Sequence, residues 1–212
     1  MSKDLSNYRK SYLLGELIES TLPEDPLELF SDWFTNVEKT GKEIEPNAMS
    51  LAAINSENLP ISRIVLLKKF DVEGFVFYTN YNSRKGKSIS VNPAVCLSFF
   101  WSSVEQQVII NGVASKISGK ESDTYFNSRP MGSQLGAIIS NQSETIPSRK
   151  FLENKMEKLK LSSKKLQRPK NWGGYIVKPL SIEFWQGRNN RLHDRILYER
   201  SINGWSLRRL SP

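Results

Sequence analysis

The sequence predicts a mainly β fold with flanking helices (α+β), an antiparallel barrel or sandwich, and three observations carry that expectation. From Ala48 onward, short runs rich in Ile, Val, Phe and Tyr recur at close spacing. Turn-forming stretches at Asn55–Pro60, Asp71–Gly74 and Ser102–Glu105 divide these runs. Helical periodicity is confined to a few stretches before and between them.

Taken in order, Met1–Pro23 shows little apolar periodicity and reads as a mobile N-terminal arm (1–23), followed by one domain over 24–212. Asp25-Pro26 supplies an N-cap and a first-turn proline. Phe30, Trp33, Phe34 and Val37 follow at i, i+3, i+4 and i+7, so an amphipathic helix runs to about Gly41. Strands are expected over Met49–Ile54, Ser62–Phe70, Gly74–Asn80, Ala94–Trp101, Gln107–Lys116, Tyr175–Val177, Ser181–Trp185, Arg195–Tyr198 and Trp205–Leu210. Helices are expected over Lys120–Asn127, Ser133–Ile139 and Ser148–Leu161, the last with Leu152, Met156 and Leu159 on one face.

Composition narrows the partners. A formal net charge of +8 favours anionic ligands, and nucleic acid, acidic lipid and phosphorylated metabolites all satisfy it. The single cysteine, Cys96, excludes an internal disulfide, and one cysteine with one histidine excludes a zinc site of the usual kind within one chain. No apolar run reaches the length of about 18 residues that a membrane helix needs, and Met1–Ser11 lacks a signal-peptide core. The expected setting is the cytoplasm.

Four clusters carry candidate chemistry. The single histidine, His193, stands two residues from both Arg191 and Arg195, and on an extended segment that period points all three to one face. A solvated basic hairpin is the competing reading. Tyr81–Ser88 places a serine cap, Arg84 and Lys85 at a strand-to-helix turn, where side-chain donors, free amides and the helix dipole suit a phosphate. It is not a nucleotide phosphate loop, because Tyr81 occupies the position that loop's first glycine requires. Arg63 and Lys68 end an apolar strand at odd separation, so both serve one ligand only at a strand end or a bulge. Tyr125 and Arg129 lie at i and i+4 ahead of Ser133, a grip for a second phosphate or a polar helix corner.

In combination these stretches resemble the pyridoxine/pyridoxamine 5′-phosphate oxidase family. The likeness runs through Asp25-Pro26, Glu45-Pro46-Asn47-Ala48-Met49, Phe75-Val76-Phe77-Tyr78-Thr79-Asn80-Tyr81 and Ser83-Arg84-Lys85-Gly86. It continues through Tyr125-Phe126, Ser128-Arg129-Pro130, Ser133-Gln134 and Gln142-Ser143 to Glu183-Phe184-Trp185-Gln186-Gly187 and Asn190-Arg191-Leu192-His193-Asp194-Arg195. The resemblance implies a homodimeric antiparallel split β-barrel with FMN at the subunit interface. It implies oxidation of pyridoxamine or pyridoxine 5′-phosphate to pyridoxal 5′-phosphate, with O2 reduced to H2O2. Carried over by motif, the FMN side falls on Arg63, Ile64, Val65, Leu66, Leu67, Lys68, Tyr78, Thr79, Arg84, Lys85, Gln107, Gln142, Ser143, Trp185 and Arg195. The substrate side falls on Arg9, Tyr12, Lys68, Tyr125, Arg129, Ser133, Arg191 and His193, with Arg191 and His193 as the catalytic pair. The arm at Arg9–Tyr12 would then close over substrate. Gln106 departs from the family's usual arginine.

Two competing functions are distinguishable. A split-barrel flavin reductase with another substrate would keep Arg84-Lys85 without needing the second grip and the histidine cluster together. A basic nucleic-acid-binding module built on the lysine-rich stretch Lys155–Lys170 would bind single strands with steep salt dependence and hold no chromophore. The resemblance implies neither a nucleic acid nor a membrane partner.

Overall fold

The computed structural model describes residues 1–8, 10–162 and 165–212. Its elements are α1 (Pro26–Thr40), β1 (Ala48–Ile54), β2 (Pro60–Leu66), β3 (Lys69–Asp71), β4 (Gly74–Asn80), α2 (Arg84–Val91), β5 (Ala94–Trp101), β6 (Gln106–Lys116), α3 (Gly119–Ser128), α4 (Met131–Ile139), α5 (Arg149–Leu161), β7 (Trp172–Gln186), β8 (Asp194–Ser201) and β9 (Gly204–Leu210). The strands follow the order β2-β1-β5-β6-β7-β4-β3, with β8 on β7 and β9 on β8. The fold is mainly β with flanking helices, as expected, and of the split-barrel class. No helix among the described residues is long and apolar enough to cross a membrane.

The chain clusters into two compact units. The first comprises residues 1–47, 98–111 and 180–212. Its helix α1 begins where Asp25 accepts a hydrogen bond from the Leu27 amide at 2.9 Å, and it stops where Gly41 takes the left-handed conformation at φ 61°. The stripe Leu29, Phe30, Trp33 and Val37 is buried, with Phe30 5.3 Å from Phe99 and Trp33 edge-on to Phe184 at 5.1 Å. Strand β8 pairs antiparallel with β7, Trp185 opposite Arg195. The Tyr198 hydroxyl ends this core by donating to the Pro23 carbonyl at 2.9 Å.

The second unit comprises residues 48–97 and 112–179. Strand β1 alternates strictly, burying Met49, Leu51 and Ala53. Strand β4 is buried on both faces except at Tyr78, and it pairs with β7 so that Tyr78 faces Gly174 and Thr79 faces Gly173. Two boundaries correct the sequence reading. The strand expected over Ser62–Phe70 is two strands, because the chain leaves β1 as partner after Leu66 and takes up β4 at Lys69. Lys68 falls in the break, its amide donating to the Val76 carbonyl at 2.8 Å. The strands expected at Tyr175–Val177 and Ser181–Trp185 are one, β7, running through Pro179. Proline is tolerated there because it lies between the residues that pair with β4 and those that pair with β8.

The segment 1–23 divides at its middle. Residues 1–8 are exposed, whereas Leu17 is buried and its amide donates to Asp194 at 3.1 Å.

Candidate active site

The second unit encloses an open cavity of about 610 Å³. One part of its wall is polar. Thr79, at the end of β4, donates its hydroxyl to the Gln142 side-chain carbonyl at 3.1 Å. The Lys85 ammonium, in the first turn of α2, donates to both of these oxygens at 3.2 Å. Burial pushes the Lys85 ammonium below its ordinary range, and the positive charge of Arg63 pushes the same way. Beside this cluster Ser83 caps α2 by accepting the Gly86 amide at 3.3 Å, and the Arg84 amide donates to the Ser143 hydroxyl at 3.3 Å. Ser143 itself sits at φ 76°, a left-handed conformation that serine seldom adopts. The Arg84 side chain is exposed.

A second part of the wall is aromatic. Tyr78 and Tyr125 stack with ring centroids 3.8 Å apart, and Trp172 lies nearly parallel to both. The Arg129 guanidinium covers the Trp172 ring at 4.6 Å. Its Nη1 atom is buried with no hydrogen-bond partner among the described residues, and burial lowers the side chain's affinity for its proton. Arg168 anchors Trp172 from behind, donating to its carbonyl and to Asp123 at 2.6 Å each. Opposite β4, the glycines at 173 and 174 leave the room that this arrangement needs. A side-chain carbon on Gly173 would lie 2.9 Å from the Ser122 hydroxyl, and one on Gly174 would lie 2.9 Å from the Tyr78 ring.

Ile64, Val65, Leu66 and Lys68 complete the cavity from the β2 end, and Ser133 from the first turn of α4. Of the pair at odd spacing, Lys68 lies past the strand end and lines the cavity, whereas Arg63, within β2, is not among its lining residues. Leu67 is buried and does not line the cavity. Among the described residues, no carboxylate lies within ion-pair distance of Arg63, Lys85 or Arg129. An apolar and aromatic chamber with cations that no carboxylate neutralises suits an anionic ligand with a flat apolar body.

The remaining candidates lie in the first unit. Trp185 and His193 approach to 4.7 Å, and the Tyr12 ring stands 5.7 Å from each. The backbone here overturns the extended reading of Arg191, His193 and Arg195. Asn189–Arg191 form a 3-10 turn with Asn190 at φ 54° and Arg191 at φ 62°, so a period of two does not operate. The turn is closed by His193, whose Nδ1 accepts the Arg188 amide at 3.1 Å; in that arrangement the ring proton is on Nε2. Arg191 is exposed. Arg195 is held by Glu183 through two hydrogen bonds at 2.8 and 3.2 Å, which raise its affinity for its proton, and it donates to the Ser211 carbonyl at 3.0 Å. Gln107 donates to the Ser98 hydroxyl at 3.2 Å. Arg9 lies outside the described residues.

The sequence-derived residues thus form two groups, one in each unit, and the cavity adds residues that the motifs did not. Trp172 is the chief of these. Its signal was present in Trp172-Gly173-Gly174, an aromatic residue beside two that carry no side chain.

Known proteins resemble this chain over nearly its whole length. Residues 38–163 match the family model described as pyridoxamine 5′-phosphate oxidase, and residues 172–212 match the model for the pyridoxine 5′-phosphate oxidase C-terminal dimerisation region. A pyridoxine/pyridoxamine 5′-phosphate oxidase of Flavobacterium johnsoniae is 59% identical over 211 residues, 98% of this chain and 99% of the relative. One from Nostoc punctiforme is 48% identical over the full length of both. Among solved structures, PhzG from Burkholderia lata 383, in complex with tetrahydrophenazine-1-carboxylic acid, superposes with a TM-score of 0.87 at 28% identity, covering 92% of this chain and 98% of that one. The chain belongs to the pyridoxine/pyridoxamine 5′-phosphate oxidase family.

Proposed function

We propose that the protein is an FMN-dependent oxidase that converts pyridoxamine 5′-phosphate and pyridoxine 5′-phosphate to pyridoxal 5′-phosphate. Oxygen is the electron acceptor and hydrogen peroxide the second product; the amine substrate also takes up water and releases ammonia. The working form is a cytoplasmic homodimer with FMN at the subunit interface. The reading rests on one observation above the rest: two distinct cationic anchors in one chamber, Lys85 held by Thr79 and Gln142, and Arg129 over Trp172, neither neutralised by a carboxylate among the described residues. The reaction calls for two phosphates, one on the cofactor and one on the substrate.

The donor set fits FMN. Lys85, Arg63, Arg84 and Ser143 supply the charge and donors that a phosphate monoester takes, and Thr79 and Gln142 hold the Lys85 ammonium in place. Ile64, Val65, Leu66 and Tyr78 offer apolar surface for a flat ring, and Gln107, Trp185 and Arg195 complete the cofactor set. FMN, when bound, supplies a two-electron acceptor that oxygen regenerates. Arg129, Tyr125, Ser133 and Lys68 bind the substrate phosphate. Tyr12, Arg191 and His193 orient the substrate ring and its oxygen, His193 presenting its Nε2 proton as a donor. Arg9 joins this substrate set.

The test is an anaerobic visible spectrum of the FMN-reconstituted protein before and after addition of pyridoxamine 5′-phosphate. Bleaching of the flavin band, reversed by air, is the expected result. A flavin that stays oxidised would move the assignment to a reductase, and failure to bind flavin would overturn it.

A further inference from the structure

Glu105 is a carboxylate with an unusual setting. It is 2% exposed, in the turn between β5 and β6, and its backbone takes the left-handed conformation at φ 59° without being glycine. Its Oε2 accepts the Leu13 amide at 2.7 Å and the Leu14 amide at 3.1 Å, while its Oε1 pairs with the Lys10 ammonium at 3.1 Å. Its own carbonyl accepts the Gly187 amide at 2.8 Å and the Gln186 side chain at 3.2 Å. Burial pushes the carboxyl up, but Lys10 and the two amides outweigh it and hold Glu105 below its usual value.

These bonds flank Tyr12 on both sides, at Lys10 and at Leu13. Gly187 meets the same ring from the other direction: a side-chain carbon there would lie 2.7 Å from Tyr12 Cγ and 3.1 Å from Glu105 Cβ. The next residue, Arg188, gives its amide to His193 Nδ1. One buried residue therefore holds the segment carrying Tyr12 through its carboxylate and the strand end that leads into the His193 turn through its backbone carbonyl. These bonds fall where the segment passes from its exposed first eight residues to the part anchored at Leu17.

We propose that Glu105 is a positioning residue of the reaction site, holding Lys10–Leu14 so that the Tyr12 ring is seated against His193 and Trp185. The proposal rests on the reading that Tyr12 and His193 serve the substrate. Glu105 touches no reacting atom; it acts through Tyr12.

The test compares the FMN-loaded wild type with Glu105→Gln, which keeps the side chain's size and removes its charge, and with Lys10→Met at the exposed partner. Four quantities are read: the rate of chymotrypsin cleavage after Tyr12, KM and kcat for pyridoxamine 5′-phosphate, and flavin affinity by fluorescence quenching. Glu105→Gln is expected to speed cleavage and raise KM by about tenfold each, from weakening charge-assisted bonds. Flavin affinity should hold within about twofold, and Lys10→Met should move cleavage and KM in the same direction by about two- to threefold. Tyr12→Ala should raise KM by itself and add little in the Glu105→Gln background. Unchanged cleavage and KM in Glu105→Gln overturn the proposal. So does a loss of flavin binding in step with KM while Lys10→Met behaves as wild type, because Glu105 would then be a fold staple. Cleavage is read without turnover, so a wild type inactive toward the vitamer refutes the oxidase reading while the protease still decides whether Glu105 holds the segment.

Discussion

Arg129 keeps its charge where burial opposes it, over the Trp172 ring and with Nη1 unpartnered among the described residues. A substrate phosphate would satisfy that atom, and charge-assisted bonds of this kind contribute about 1.5–3 kcal/mol. Arg129→Met is therefore expected to raise KM for pyridoxamine 5′-phosphate by about 10- to 100-fold with little change in kcat, measured by steady-state kinetics. A loss confined to kcat would remove Arg129 from substrate binding. At this scale the sequence was partly legible. Tyr125 and Arg129 could be paired from their i, i+4 spacing, and both line the cavity. The partners of Lys85 could not be read, because Thr79 and Gln142 reach it through tertiary contact across 57 residues in the case of Gln142. The row Arg191, His193, Arg195 misled because a period-two reading presumes extended backbone, and Asn190 and Arg191 take left-handed angles instead.

Among the elements, α1 shows how local chemistry sets a boundary. Asp25, Pro26 and Gly41 act within a turn of their own positions, so the helix could be placed from sequence at both ends. Asp25→Ala leaves the Leu27 amide without its acceptor and is expected to cost about 1 kcal/mol. In a chain of this size that lowers Tm by about 2–4 °C, checked by calorimetry on the FMN-free protein. The limits of β4 and β5 were legible for a similar reason, since β4 is built on the apolar and aromatic run Phe75–Tyr78, β5 alternates in burial, and turn residues stand outside them. The break at Lys68 and the passage of β7 through Pro179 were not. Both depend on which strand lies alongside, and a change of partner leaves no mark in the local pattern.

For the whole molecule, charge and ligand are linked. Burial disfavours the charged form of Lys85, and on the proposed function the FMN phosphate is the anion that offsets this, so FMN is expected to stabilise the fold. At 100 times its Kd, FMN is expected to add about 2.7 kcal/mol, or about 5–10 °C in Tm, by differential scanning fluorimetry. Acid acts in the opposite sense. The hydrogen bonds from Arg209 hold the Glu19 carboxyl down to about 2 from its ordinary 4.5. A carboxyl depressed on folding stabilises above pH 4.5, and that contribution is lost as pH falls from 4.5 toward 2. Wild type should thus melt higher than Arg209→Met at neutral pH, by a modest amount because the pair is exposed, and the Tm difference should shrink through that window. The division into two units was not legible in the sequence. The first is assembled from residues 1–47, 98–111 and 180–212, and contacts among separated stretches have no local signature.

The glycines at 173 and 174 bear on how this enzyme could be engineered. Glycine weakens a strand, and exchanging it for alanine is a routine way to stiffen a chain by about 0.4–1 kcal/mol. Here that route is closed. A methyl group at 173 would run into the Tyr81 hydroxyl, and one at 174 would meet Ile117 and the Tyr78 ring. Thermostable variants must be sought away from this stretch of β7, in the exposed faces of α5 or the loops, since added rigidity at the glycines would displace the aromatic residues around which the cavity is built.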